Sequence, residues 1–422
     1  MSEIIGNFKE ISKIPHCSFN TKKLSDFLCT FAKQNGAKVS VDEAFNIHCI
    51  KGNPKICLQS HYDMVCMGEA PNIILEEKNG ILSAINSSLG ADNGMGVAMM
   101  MQVLKEFDDV ECLFTNDEEV GLIGVKNLKH KIKSKFLLNL DHEVDNEVII
   151  SCAGGVDIKA SMKLSFKEEE CEIYELDTVN FKGGHSGIDI INNVKNAIKE
   201  LAYFILENNG VLVDFQGGER INSIAKHAKA LVAFKKKPKE NSYIKCKYLG
   251  KKKAKIIKQS SKILKSLASF AQGVRAYDKE LQIVRTSINL SLFKIQYEKL
   301  DIELFARSNT LDDLLRIKEE SKIFFKSFGF KISFSNFYEP WQASKSKFAL
   351  DVLNALKKHI KNCKILAVHA GLECGIIKKK QKLICACIGP NIHNPHSVDE
   401  RCEIDSVNKI YAALKDILKL YK

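Results

Sequence analysis

Ser60-His61-Tyr62-Asp63 closes the run Lys55-Ile56-Cys57-Leu58-Gln59, whose apolar character predicts a buried strand with a histidine and a carboxylate at its carboxyl end. Residues i and i+2 of a strand project to one side, which lets His61 bind a metal while Asp63 holds it from behind. Taken alone, the pair reads more readily as a turn with two solvated polar residues. The decision rests on what other stretches add.

Two further apolar runs end in acids. Glu111-Cys112-Leu113-Phe114-Thr115 leads into Asn116-Asp117-Glu118-Glu119-Val120-Gly121, and Phe136-Leu137-Leu138-Asn139-Leu140 leads into Asp141. Between them, Gly90-Ala91-Asp92-Asn93-Gly94-Met95-Gly96 opens a helix whose face is marked by Val97, Met100, Met101 and Leu104. Strand, helix, strand, strand at these spacings predicts an α/β sheet. Open sheets of this class gather their sites outside the strand carboxyl ends, so three independent strands deliver acid or imidazole to one place. Several carboxylates together are costly without counter-charge, and bound cations are the usual remedy. Asp92 also reads as a helix N-cap, beside glycines that free the backbone. Near the C-terminus, Gly389-Pro390-Asn391-Ile392-His393-Asn394-Pro395-His396-Ser397-Val398-Asp399-Glu400 again places imidazoles in a loop after a strand.

A chain of 422 residues exceeds one ordinary core, which predicts two domains. The pattern changes near residue 155. Strands at 156–166, 178–181, 228–234, 283–296, 301–307 and 330–336, with helices at 194–206, 254–270 and 311–327, predict an α+β insert. Tyr338-Glu339-Pro340-Trp341 is the hinge back to an α/β pattern. The expected division is 1–154, 155–337 and 338–422. No stretch of about 18 apolar residues occurs and the N-terminus lacks a leader pattern, so a soluble, cytoplasmic protein without membrane contact is expected. Fourteen scattered cysteines fit reduced core thiols better than a disulfide framework. The formal charge of +12 comes mostly from lysine, concentrated in Lys235-Lys236-Lys237-Pro238-Lys239 and Lys251-Lys252-Lys253. These runs lack the arginine and aromatic interleaving of a nucleic-acid platform and read as a solvated helical face or loop.

The motifs together resemble the dinuclear-zinc metallopeptidases that include aminoacylases, carnosinases and peptidase T, and within them the bacterial aminoacyl-histidine dipeptidases. The resemblance is carried by Ser-His-x-Asp-Met-Val at 60–65, Gly-Ala-Asp-Asn-Gly-x-Gly at 90–96, Asp-Glu-Glu-x-Gly at 117–121 and Asn-Leu-Asp at 139–141. Gly-Gly-His-Ser-Gly at 183–187, Val-His-Ala-Gly-Leu-Glu-Cys-Gly at 368–375 and Gly-Pro-x-x-x-x-Pro-His-Ser-x-Asp-Glu at 389–400 complete it. It implies a zinc-peptidase-like catalytic domain, with a mixed sheet flanked by helices, interrupted by an α+β lid domain that dimerises.

By the same resemblance, Asp92 bridges two Zn2+ ions per subunit, with Co2+ or Mn2+ as substitutes. His61 and Asp141 complete one site, and Glu119 and His396 the other. Glu118 is the general base, Asp63 orients His61, and the Asp92–Asn93 peptide is cis. His185 stabilises the oxyanion, Asn222 and Arg307 hold the substrate carboxylate, and His369 and Glu373 are substrate-side residues. A satisfied core histidine is the competing reading of His369. The implied reaction is hydrolysis of unblocked dipeptides, Xaa-His among them, through a metal-bound hydroxide. The rivals are an amidase or deacylase of N-acyl amino acids with the same metal site, and a basic binding protein without catalysis.

Overall fold

The computed structural model describes residues 3–342 and 345–422, which divide into two compact units. The first gathers the chain up to Ser151 with Trp341–Ala367 and Leu372–Lys422. Its eight-stranded sheet runs in the order Lys38–Val41, Ile47–Lys51, Val110–Thr115, Ile56–His61, Phe136–Asn139, Ile384–Cys387, Glu147–Cys152, Lys364–Val368. The four strands from Val110–Thr115 to Ile384–Cys387 are parallel. Strands of a parallel sheet are covered on both faces, which is why Ile56–His61 and Val110–Thr115 are buried along their whole length.

The helix Ala91–Glu106 is apolar all round, with Val97, Met99, Met100, Met101, Val103 and Leu104 all buried. Such a helix belongs inside a core, and this one packs between Glu3–Ser12 and the sheet. A small antiparallel sheet, Ile392–His393, Arg401–Glu403, Ile81–Ala84 and Leu75–Lys78, pins both ends of the loop that carries His396. No helix among the described residues is long and apolar enough to cross a membrane.

The second unit comprises Cys152–Pro340 and Val368–Gly371. Its antiparallel sheet is ordered Ile244–Ile257, Phe166–Thr178, Ala228–Phe234, Val211–Gly217, Ile283–Gln296, Lys299–Ser308, Gly154–Lys163, Lys331–Tyr338, with Gly273–Asp278 beside Ile283–Gln296. Val156, Ile158, Ala160, Ile302 and Leu304 alternate inward. They share a core with residues of Ala197–Glu207, Ser260–Ser269 and Leu311–Ser327. The insert begins and ends in register, Gly155 opposite Tyr338. In the first unit, Ser151 Oγ donates to the Trp341 carbonyl at 2.8 Å.

Three expectations are corrected. Lys251-Lys252-Lys253 is neither a helical face nor a loop, but part of the strand Ile244–Ile257, with Lys251, Lys253 and Lys255 opposite Glu172, Glu170 and Glu168. Lys251 Nζ lies 3.1 Å from Glu170. Cross-strand charge pairs suit an edge strand, and the following helix therefore starts at Ser260 rather than at 254. Cys17 and Cys66 form a disulfide with Cα atoms 5.5 Å apart, while the other twelve cysteines take part in no disulfide. The helix Glu3–Ser12 and the hairpin Leu75–Lys78/Ile81–Ala84 add to the elements anticipated.

Candidate active site

The strand ends are level. His61 pairs with Thr115, and Asn139 pairs with both Gln59 and Cys387, so the segments that follow emerge together. Asp63 comes from the first of these segments, Glu118 and Glu119 from the second and Asp141 from the third. Asp92 enters from the helix Ala91–Glu106, where Gly90 holds φ +72° and the Asp92–Asn93 peptide is cis. His396 enters from its loop at φ +60°.

Asp92 presents one carboxylate oxygen to each of two imidazoles. Its Oδ1 is 3.2 Å from His61 Nε2 and its Oδ2 is 3.1 Å from His396 Nε2. Each imidazole has a second acid: Asp141 Oδ1 lies 3.3 Å from His61 Nε2, and Glu119 Oε1 lies 2.8 Å from His396 Nε2. Ligand atoms within the groups His61–Asp92–Asp141 and Asp92–Glu119–His396 all lie within 4.8 Å of one another, and His61, Glu118 and Glu119 form a third such group. Asp141 Oδ1 and Glu119 Oε1 are buried yet accept no hydrogen bond. Three carboxylates and two imidazoles, with buried oxygens left unsatisfied, are a donor set that fits two divalent cations sharing Asp92.

His61 Nδ1 donates to the Asp63 main-chain carbonyl at 3.0 Å, which fixes Nε2 as the ring's lone-pair nitrogen. The Asp63 carboxylate, 3.6 Å from that ring, is spent elsewhere. Oδ1 accepts from Glu118 N at 3.0 Å, and Oδ2 accepts from Ser18 Oγ at 2.8 Å and Glu119 N at 3.4 Å. Asp63 thus orients His61 through its backbone and organises the Glu118–Glu119 turn through its side chain. Burial raises the Asp63 carboxyl, but His61 and the Glu118 N–H outweigh it and hold it below the usual range. Glu118 goes the other way: burial lifts it well above that range, and Glu119, Asp141 and Glu373 add to the lift against His61.

Beneath the ligands runs a buried polar chain. Asp141 N donates to Asn139 Oδ1 at 3.1 Å and Asn139 Nδ2 to Gln59 Oε1 at 2.6 Å. Gln59 Nε2 donates to Thr115 Oγ1 at 3.0 Å and to Glu373. Thr115 Oγ1 donates to Glu373 Oε2 at 2.6 Å. Glu373 has no exposed surface, and burial pushes it up to about 8. It is a member of this chain. Gln59 and Asn139 were not singled out from the sequence, although a polar residue inside an otherwise apolar strand was a legible signal.

His185, Asn222, Arg307 and His369 all belong to the second unit. Around Gly187, a side-chain carbon would lie 2.8 Å from the His369 carbonyl, 3.1 Å from His185 Cε1 and 3.3 Å from Arg307 Nε, so three of the four crowd one glycine. His185 Nδ1 accepts from the Gly187 and Ile188 amides, both at 3.3 Å, which leaves the neutral ring's proton on Nε2. Asn222 accepts from Ser186 N through its backbone, and its side chain is exposed. Arg307 is buried, stacks on Phe305 at 4.3 Å and leaves Nε without a hydrogen-bond partner. His369 is buried with both ring nitrogens engaged, Nε2 with Ser287 Oγ at 2.7 Å and Nδ1 with Asn309 Oδ1 at 3.1 Å. Burial, then Arg307 and His185, push it down to about 3, so it is a satisfied neutral core histidine. These are the contacts of the core reading of His369, which stood beside the substrate-side one.

Residues 57–420 match the model of peptidase family M20/M25/M40. The chain is 28% identical to the cytosol non-specific dipeptidase of Escherichia coli (strain K12), over 98% of this chain and 96% of that protein. Its structure is similar to that of aminoacylhistidine dipeptidase from Vibrio alginolyticus, with TM-score 0.80 and 26% identity over 100% of this chain and 97% of the other. A tripeptidase from Staphylococcus aureus shares the fold, with TM-score 0.64 and 17% identity over 99% and 98% of the two chains.

Proposed function

The chain belongs to peptidase family M20/M25/M40 and is a metallopeptidase, and from that premise we propose that it hydrolyses the peptide bond of unblocked dipeptides. Two cations, zinc foremost, are assigned to His61–Asp92–Asp141 and Asp92–Glu119–His396. The observation that carries this reading is Asp92, whose two oxygens face two different imidazoles, each backed by its own acid. The two dipeptidase relatives, each matched over nearly its whole length, support the substrate class.

Bound there, the ions would polarise the scissile carbonyl and acidify a water at neutral pH. Glu118 takes a proton from the attacking water and returns it to the leaving amine, the task of a positioned carboxylate beside the ligand cluster. Asp63 aims both His61 and the Glu118–Glu119 turn. We assign the His185 Nε2–H to the developing oxyanion, and the buried guanidinium of Arg307 with Asn222 to the terminal carboxylate. A homodimer formed through the second unit, as a lid, is part of the same proposal.

Glu118→Gln tests the base. The expected loss in kcat is about 10²- to 10⁴-fold with two equivalents of zinc still bound, and substantial remaining turnover would sink the assignment. A panel of dipeptides, Xaa-His included, set against N-acetyl amino acids decides the substrate class. Cleavage of the acylated compounds alone would make the enzyme a deacylase.

A further inference from the structure

Glu400 lies outside every role assigned so far. Its side chain is buried, and its two oxygens collect four consecutive backbone amides of the turn that delivers Asp92. Oε2 accepts from Leu89 N at 2.9 Å and Gly90 N at 3.0 Å, and Oε1 accepts from Ala91 N at 2.8 Å and Asp92 N at 3.2 Å. Ala91 N and Asp92 N are donors that a helix start leaves unpaired, Gly90 N and Leu89 N are those of the turn before it, and the N-cap glycine has no side chain to serve them. Glu400 reaches them across 308 to 311 residues of sequence.

The same residue closes the turn that carries His396. Glu400 N donates to the Ser397 carbonyl at 3.3 Å, Asp399 N to Ser397 Oγ at 3.2 Å, and Ser397 Oγ to the Asn394 carbonyl at 2.8 Å. One carboxylate therefore ties the Asp92 turn to the His396 loop, and both residues belong to a single ligand group with Glu119. We propose that Glu400 is a positioning residue for the cation held by Asp92, Glu119 and His396, fixing the distance between two of its three ligands. The proposal rests on the two-cation reading above.

Glu400→Gln keeps the shape but replaces one acceptor oxygen with an amide that faces backbone donors, so two of the four N–H groups lose their partner. Apo protein is titrated with zinc against a competing chelator, and its thermal unfolding is recorded without metal. The expected result is a drop of about 10- to 100-fold in affinity for one equivalent, a smaller change in the other, and an apo protein still folded at the titration temperature. With zinc saturating, kcat falls while KM is unchanged. A carboxylate that merely capped a helix would lower the apo unfolding temperature and leave both affinities alone, because a folded apo state binds as before. That result, or wild-type affinities at both sites, overturns the proposal. Should Glu400→Gln not fold, Glu400→Asp, which keeps the charge and shortens the reach, is read by the same titration and the same criteria. Wild-type protein that takes up fewer than two equivalents overturns the two-cation reading itself, which distinguishes the two failures.

Discussion

His369 shows how much one buried imidazole is committed. Burial, and then the nearby Arg307 and His185, push it down to about 3 in the folded chain against 6.5 for the ordinary group, and the neutral ring holds Ser287 and Asn309 on its two nitrogens. A depressed folded value means that the unfolded chain takes the proton first as pH falls. The stability supplied by the neutral ring is therefore complete above pH 6.5 and is lost between 6.5 and 3. Between pH 6.5 and 5 the loss amounts to about 1.5 kcal/mol. His369→Gln should remove that dependence, so chemical denaturation of apo protein at the two pH values should show the wild-type advantage shrinking by that amount. A constant difference would mean that the ring is not held neutral.

Strand ends made the acidic centre readable. His61, Glu119 and Asp141 each follow an apolar run, and a parallel sheet with level ends brings such residues together whatever the loops do. Glu400 had no comparable signal, because a loop carboxylate has no period and its four amides lie some three hundred residues away. The lysine strand was misread for a related reason. Alternation of charge carries no apolar signature, and the neutralising Glu168, Glu170 and Glu172 belong to a strand far earlier in the chain. Likewise the Cys17–Cys66 pairing depends on two segments meeting side by side at Cys17 and Met64, which spacing alone does not disclose. The turn at Gly183–Gly187 is tightly hemmed in by side chains of the second unit. With His369, His185 and Arg307 all within 3.3 Å of where a Cβ would stand, Gly187→Ala must displace at least one of them. On the proposed assignments this lowers kcat/KM by about 100-fold while zinc affinity is unchanged. Steady-state kinetics beside a metal titration check it, and an unaffected kcat/KM would remove His185 and Arg307 from the substrate.

At the scale of the molecule, each unit has its own hydrophobic core, and every candidate ligand lies in the first. Ligand binding stabilises only the structure that forms the site. On the proposed cation assignment, calorimetry should therefore resolve a component of the zinc-loaded protein that moves down by several degrees when the metal is stripped with a chelator, and a second that stays in place. A single transition displaced as a whole would mean that the two cores melt as one. The long block of the second unit interrupts the first between Ser151 and Trp341, which the Ser151 hydroxyl ties together, and the short segment Val368–Gly371 interrupts it again; the ends of the long block pair at Gly155 and Tyr338. It is a parenthesis in the chain: lengthening, trimming or rewriting the text inside leaves the ligand-bearing strands on either side in the same order and register. Changes of length or sequence within that block are therefore open without moving the strands that carry the candidate ligands.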